Sequence, residues 1–115
     1  MRPTHQIIQE SSTNRRAVPA LHGADYREKF LVAFFGRLSA EKAPAVFVEI
    51  ARRLRSHDEI CFLMTGEGQE RAAVLALIDK YNLRDRIHAP GFVENVGTLM
   101  ARADVIVVPS SLDGM

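Results

Sequence analysis

The chain has 115 residues, 47% of them hydrophobic and 25% charged, and its 15 basic and 14 acidic residues leave a formal net charge of +1. This balance is typical of a soluble globular domain, and the near-neutral charge argues against nucleic-acid binding through a bulk positive field. A single cysteine, Cys61, excludes an internal disulfide framework and a cysteine-rich zinc site, and the absence of a signal-like or membrane-spanning apolar run favours a cytoplasmic protein.

The first 29 residues are more polar than the rest of the chain. They contain the run SSTNRR and the breakers Pro3, Pro19 and Gly23. We therefore predict that residues 1–29 are a linker or arm, with one short extended piece at most, and that the globular domain covers residues 30–115.

Apolar runs and helical patterns alternate through the globular part. The runs are FLVAFF at 30–35, ICFLM at 60–64, IHA at 87–89 and VIVV at 105–108. Continuous apolar runs are typical of strands buried on both faces. Helical patterns lie between them, with Pro44 at a first turn, Asn82 at a helix end and Asn95 at an N-cap. The alternation predicts an α/β fold, a doubly wound Rossmann-like parallel sheet of about four strands with three helices.

In the first helix, the apolar face is predicted to contain Val46, Phe47, Ile50, Ala51 and Leu54. These positions recur at helical spacing and leave the nearby arginines on the opposite face.

Four loops leave the carboxyl ends of these strands, where ligands bind in open α/β sheets. The first, Gly36 to Lys42, has Arg37 and Lys42 ahead of a helix N-terminus. Together these groups suit a diphosphate, because the arginine fork and the lysine ammonium both bind phosphate oxygens. The alternative is that both cations are solvated loop charges.

The second loop, TGEGQE, resembles the start of a dinucleotide fingerprint. Arg71 stands where its third glycine belongs, so NAD binding is not expected. Gly66 and Gly68 suit a tight turn, with a backbone contact to a ligand as the alternative, and Glu67 is interpreted as a turn residue.

The third and fourth loops offer different groups to a ligand. In the third, Phe92 either flanks a flat base or packs into the core. In the fourth, Ser110 and Asp113 either bind sugar hydroxyls or cap a following helix. The histidines are not spaced as metal ligands, so no metal site is predicted.

Three segments, in this order, carry a resemblance to a known family: FFGRLSAEKAPAVFVEIARRL, FLMTGEGQER and RIHAPGFVENVGTLMARADVIVVPSSLDGM. Over about residues 30–115 the sequence resembles the C-terminal nucleotide-sugar-binding domain of family 4 retaining glycosyltransferases. The resemblance implies half of a Rossmann-like domain of the GT-B fold. It also implies a nucleoside diphosphate sugar as substrate, with no separate cofactor and no obligatory metal.

The resemblance implies roles for particular residues. Arg37 and Lys42 would clamp the donor diphosphate, and Asp113 would contact the donor sugar. Other donor contacts are implied at Gly36, Phe92, Val93, Ser110 and Gly114, with Gly91 opening the base loop and Pro109 opening the last loop. Gly66 and Gly68 remain candidate donor-binding residues through their backbone. Two positions depart from the family pattern, since Asp113 replaces the usual glutamate and Ala43 follows the lysine where glycine is usual.

The sequence stops seven residues after Val108, so we expect a fragment that lacks a second donor-binding glutamate and the acceptor domain. Such a fragment is expected to be inactive in transfer, and the parent enzyme would use an unidentified acceptor, in the cytoplasm or at its membrane surface. The last strand is expected to leave an open apolar edge that promotes self-association. The alternative functions are another GT-B nucleotide-sugar enzyme, such as an epimerase, or a non-catalytic module that binds a partner protein.

Overall fold

The computed structural model describes residues 5–7 and 28–109. The strands are β1 (His5–Ile7), β2 (Phe30–Phe35), β3 (Ile60–Thr65), β4 (Ile87–Gly91) and β5 (Val105–Val107). The helices are α1 (Pro44–Arg53), α2 (Arg71–Lys80) and α3 (Val96–Arg102), with a 3-10 turn at Ala40–Lys42. The predicted alternation of strands and helices is confirmed, and β4 extends through Pro90, a residue that a strand tolerates at the edge of a sheet.

The five described strands form one sheet in the order β1-β5-β2-β3-β4. β5, β2, β3 and β4 are parallel to one another, and β1 is antiparallel to β5. The predicted α/β architecture of four parallel strands and three helices is therefore confirmed. The chain runs from β2 outward through β3 and β4 and then returns to the other side of β2, which makes the gap between β2 and β5 the topological switch point.

The prediction that the last strand leaves an open edge is wrong. β5 lies between β2 and β1, and β1 comes from within the segment that the sequence predicts to be an arm. The antiparallel pairing of Gln6 with Ile106 occupies the edge hydrogen-bonding groups of β5. The expected self-association through β5 therefore loses its physical basis, because a paired strand presents no free ladder to another chain.

Apolar side chains fill both faces of the sheet. Alternate residues of β2 point to opposite sides, so Val32 and Phe34 join the cluster beneath α1 and α2, while Leu31 and Ala33 join the cluster beneath α3. Helices on both faces are the arrangement expected of a doubly wound sheet.

The buried face of α1 differs by one residue from the predicted face. Phe47, Val48 and Ala51 are buried, whereas Val46 is 45% exposed. Phe47 packs between Phe34 and Phe62, with ring centroids 6.0 and 6.2 Å away. The position of these two rings sets the rotation of the helix, which helical spacing alone leaves undetermined to within one residue.

A buried ion pair ties the amino ends of β2 and β5 together. Arg102 and Asp104 are 2% and 3% exposed, and their Nη1 and Oδ2 atoms are 3.2 Å apart. The same Oδ2 accepts the backbone N–H of Leu31 at 2.7 Å, and Arg102 donates to the Lys29 carbonyl at 2.5 Å. This pair lies at the amino end of the sheet, and its role is to join the two strands.

Candidate functional site

The carboxyl ends of β2, β3 and β4 open into a cleft with a volume of about 720 Å³. Its wall contains the ends of two strands, the loops that follow them and the first turn of α3: Phe35, Gly36, Arg37, Thr65, Gly66, Glu67, Gly68, Phe92, Val93 and Val96. The strand register explains why these loops meet. Phe35 pairs with Thr65, and Thr65 pairs with Gly91, so the three loops begin at the same level of the sheet.

Arg37 is the cation that the first loop contributes to the cleft wall. It is exposed and lies between Gly36, which has a φ of 145°, and Leu38, whose side chain is 1% exposed. The buried leucine anchors the loop to the core, and Arg37 is left at the surface beside it. The planar guanidinium of Arg37 offers a pair of donors that suits the oxygens of an anion.

Gly66 and Gly68 are needed where the second loop passes close to the first. A Cβ at Gly66 would lie 1.8 Å from the Gly36 carbonyl oxygen, and a Cβ at Gly68 would lie 2.3 Å from that of Leu38. Both glycines also have positive φ angles, of 120° and 158°. The tight-turn interpretation therefore accounts for both residues, and each also forms part of the cleft wall.

The third loop begins at Gly91, whose carbonyl accepts the N–H of Gly66 at 2.7 Å. Phe92 is 74% exposed and lines the cleft, so the alternative in which it packs into the core is wrong. Val93 is buried and packs on the α3 side of the sheet. An exposed ring beside a buried anchor gives the cleft a flat apolar wall of the kind that packs against aromatic ligands.

Lys42 lies in the 3-10 turn that follows the first loop and is exposed. Within residues 28–109, the side chains that line the cleft include Arg37 but not Lys42. Ser110, Asp113 and Gly114 lie outside the described residues. The structure thus brings six of the predicted site residues into one cleft: Gly36, Arg37, Gly66, Gly68, Phe92 and Val93.

Ala43 ends the 3-10 turn in the left-handed region, with φ 50° and ψ 54°. A residue with a Cβ is strained there, which explains physically why glycine suits the position after Lys42. The turn keeps this conformation through the backbone hydrogen bond from Ala43 to the Ala40 carbonyl, at 3.0 Å.

Glu67 and Arg71 form a feature of the cleft edge that sequence interpretation missed. Glu67 lines the cleft, and its Oε1 lies 3.6 Å from Nε of Arg71. Arg71 also donates to the Ala89 carbonyl at 3.4 Å. No helical spacing signals the pair, because Glu67 lies in the loop and α2 begins only at Arg71. The pair links the second loop to β4.

The carboxyl groups with shifted pKa values lie toward the other end of the sheet. A hydrogen bond from Arg84 lowers the pKa of Asp79, near the end of α2. The pKa of Glu59, just before β3, is also lowered, first by a hydrogen bond from its own backbone and then by His57. These shifts come from local pairing and involve none of the cleft residues.

The described residues contain neither a metal-binding cluster nor a membrane-spanning helix. Within residues 5–7 and 28–109, no three His, Cys, Asp or Glu side chains are grouped closely enough to hold a metal ion. The helices in the same part of the chain include none with the length and apolarity to cross a membrane.

The family model of the glycosyl transferases of group 1 matches residues 23–115. Among curated proteins, the alpha-D-kanosaminyltransferase of Streptomyces kanamyceticus is 29% identical over 104 residues, which are 88% of this chain and 26% of that enzyme. The chain spans about a quarter of the length of the curated relatives it matches.

Solved structures of related proteins share the fold. The C-terminal domain of the group 1 glycosyl transferase LpcC from Francisella tularensis has a TM-score of 0.62 and 17% identity, covering 85% of this chain and 52% of that domain. HepE from Anabaena, solved in complex with UDP and glucose, has a TM-score of 0.59 and 22% identity, covering 68% of this chain and 22% of that protein.

Proposed function

The chain belongs to the glycosyl transferases of group 1, and from that premise we propose that it binds the nucleoside diphosphate sugar donor of a retaining enzyme. The parent enzyme would transfer the sugar from this donor to an acceptor held by a separate domain. Because transfer requires donor and acceptor to be held together, residues 1–115 alone would bind the donor without transferring its sugar.

The observation that carries this proposal is the position of Arg37 in a cleft at the carboxyl edge of the sheet. The cleft volume of about 720 Å³ falls within the range of small-molecule sites, roughly 300–1,000 Å³. Ligands of open α/β sheets bind at this edge, next to the switch point. The UDP and glucose bound to HepE support the choice of ligand class.

In the proposed complex, the diphosphate lies against Arg37 and the nucleobase against Phe92 and Val93. The guanidinium would neutralise the negative charge that grows on the diphosphate as the bond to the sugar breaks. Lys42 would add a second, mobile positive charge, and Asp113 would orient the sugar. The retaining course and the lack of an obligatory metal follow from the resemblance of the sequence segments to family 4 enzymes.

Calorimetric titration with uridine, guanosine and adenosine diphosphates tests the proposal. A charged hydrogen bond contributes about 1.5–3 kcal/mol, so Arg37→Ala should weaken the binding of the preferred diphosphate about 10- to 150-fold. We expect a smaller loss for Lys42→Ala, because Lys42 lies outside the cleft wall within residues 28–109.

Arg53→Ala is the matched control, because Arg53 is an exposed arginine on α1 that pairs with Glu49. It should leave diphosphate binding unchanged. Equal affinity of the unchanged chain and the Arg37→Ala variant would rule out the proposed clamp.

A further inference from the structure

The second loop contacts both of the loops on either side of it through its backbone. The Leu38 N–H donates to the Glu67 carbonyl at 2.9 Å, and the Glu70 N–H donates to the Leu38 carbonyl at 2.8 Å. The Gly66 N–H donates to the Gly91 carbonyl at 2.7 Å. The second loop therefore holds the backbone next to Arg37 on one side and the start of the Phe92 loop on the other.

The contact at Gly68 constrains the backbone on the carboxyl side of Arg37. A Cβ at Gly68 would lie 2.3, 2.7 and 2.8 Å from the carbonyl oxygen, carbonyl carbon and nitrogen of Leu38. All three atoms are backbone, so no side-chain rotation can relieve the collision. Leu38 would have to move as a unit, and Arg37 is the preceding residue in the chain.

We propose that Gly68 is a positioning residue that sets the location of the Arg37 guanidinium relative to the diphosphate of the ligand. This inference rests on the proposed function, because it assumes that Arg37 binds a diphosphate. Gly68 acts by having no side chain, which allows the first loop to approach and makes its two hydrogen bonds through Leu38 possible. Phe92 and Val93 lie on another loop, so the base side of the cleft does not depend on this contact.

The substitution Gly68→Ala should weaken binding of the diphosphate part of the ligand and leave binding of the nucleoside part unchanged. Lengthening a contact of 2.3 Å to an ordinary contact of 3.4 Å requires a shift of about 1 Å at Leu38, and misplacement of a binding group on this scale is costly. We expect UDP to bind about tenfold more weakly, while uridine, which lacks the diphosphate, binds as it does to the unchanged chain. Unchanged uridine binding also shows that the variant is folded.

A double-mutant cycle with Arg37→Ala gives the decisive readout. If Gly68 acts through Arg37, Gly68→Ala should have no further effect on UDP binding once Arg37 is alanine. Gly97→Ala is the control, because a Cβ at Gly97 in α3 would meet no described atom within 4 Å. It should leave both affinities unchanged.

The outcomes distinguish this inference from the proposed function. The positioning role would be overturned if Gly68→Ala reduced UDP affinity equally in the unchanged chain and in the Arg37→Ala background. It would also be overturned if Gly68→Ala weakened uridine and UDP binding equally. Either result would leave the diphosphate site intact. Absence of UDP binding by the unchanged chain would overturn the proposed function and this inference with it. If Gly68→Ala does not fold, Leu38→Val replaces it in the double-mutant cycle, because it shortens the buried anchor of the same segment by one carbon. A loss of UDP binding that disappears in the Arg37→Ala background supports the positioning role, and an additive loss contradicts it.

Discussion

Removing the carboxylate of Asp104 should strongly destabilise the fold. Oδ2 of Asp104 accepts two donors, the Leu31 N–H at 2.7 Å and Nη1 of Arg102 at 3.2 Å. Both members of the ion pair are almost completely buried. Asp104→Ala would leave a buried positive charge and a buried backbone N–H without this acceptor.

The expected loss of unfolding free energy depends on the residue that replaces Asp104. Breaking a buried ion pair by removing one partner costs about 3–5 kcal/mol. Asp104→Asn should cost less, about 1–3 kcal/mol, because one amide oxygen can take the place of Oδ2 and keep both hydrogen bonds while the charge is lost. A domain of this size has a free energy of unfolding of about 5–15 kcal/mol, so the alanine variant should retain only part of it.

Urea unfolding followed by far-ultraviolet circular dichroism measures these losses, as a lower midpoint at an unchanged slope. Asp79→Ala is the control, since Asp79 forms an exposed pair with Arg84 and exposed pairs contribute little. If Asp104→Ala unfolds at the same urea concentration as the unchanged chain, the assignment of a stabilising role to the buried pair is incorrect.

Two other predictions concern the backbone and the response to pH. Ala43→Gly should raise the free energy of unfolding by about 0.5–1 kcal/mol in the same urea assay, because it removes the backbone strain of an alanine in the left-handed conformation. An unchanged or lower free energy of unfolding would show that Ala43, at φ 50°, is not strained. The carboxyl of Asp79, followed by NMR, should titrate below the usual range for aspartate and return toward it in Arg84→Ala, because the hydrogen bond from Arg84 lowers its pKa. Since the pKa of Asp79 is lower in the folded state than in the unfolded state, the pair stabilises the fold at pH values above the usual aspartate pKa. This contribution is lost as the pH falls through the lowered pKa. A titration midpoint unaffected by Arg84→Ala would show that another group causes the shift.

The sequence by itself determined the order of the strands and helices and the loops that form the cleft. Runs such as FLVAFF can be buried on both faces only in a covered sheet, and the helical spacing between them supplies the cover. Parallel strands then bring their carboxyl ends to one edge. The sequence therefore predicts that the loops containing Arg37, Gly66 and Phe92 share an edge.

Tertiary structure decided the features that depend on contacts between distant parts of the chain. The burial of Val48 in place of Val46 depends on where the rings beneath α1 lie. The exposure of Phe92 depends on the hydrogen bond that fixes the start of its loop. The pairing of β1 with β5 and the shared oxygen of Asp104 join segments far apart in sequence. Local spacing records the periodicity of single elements, whereas these contacts arise only when the elements pack against one another.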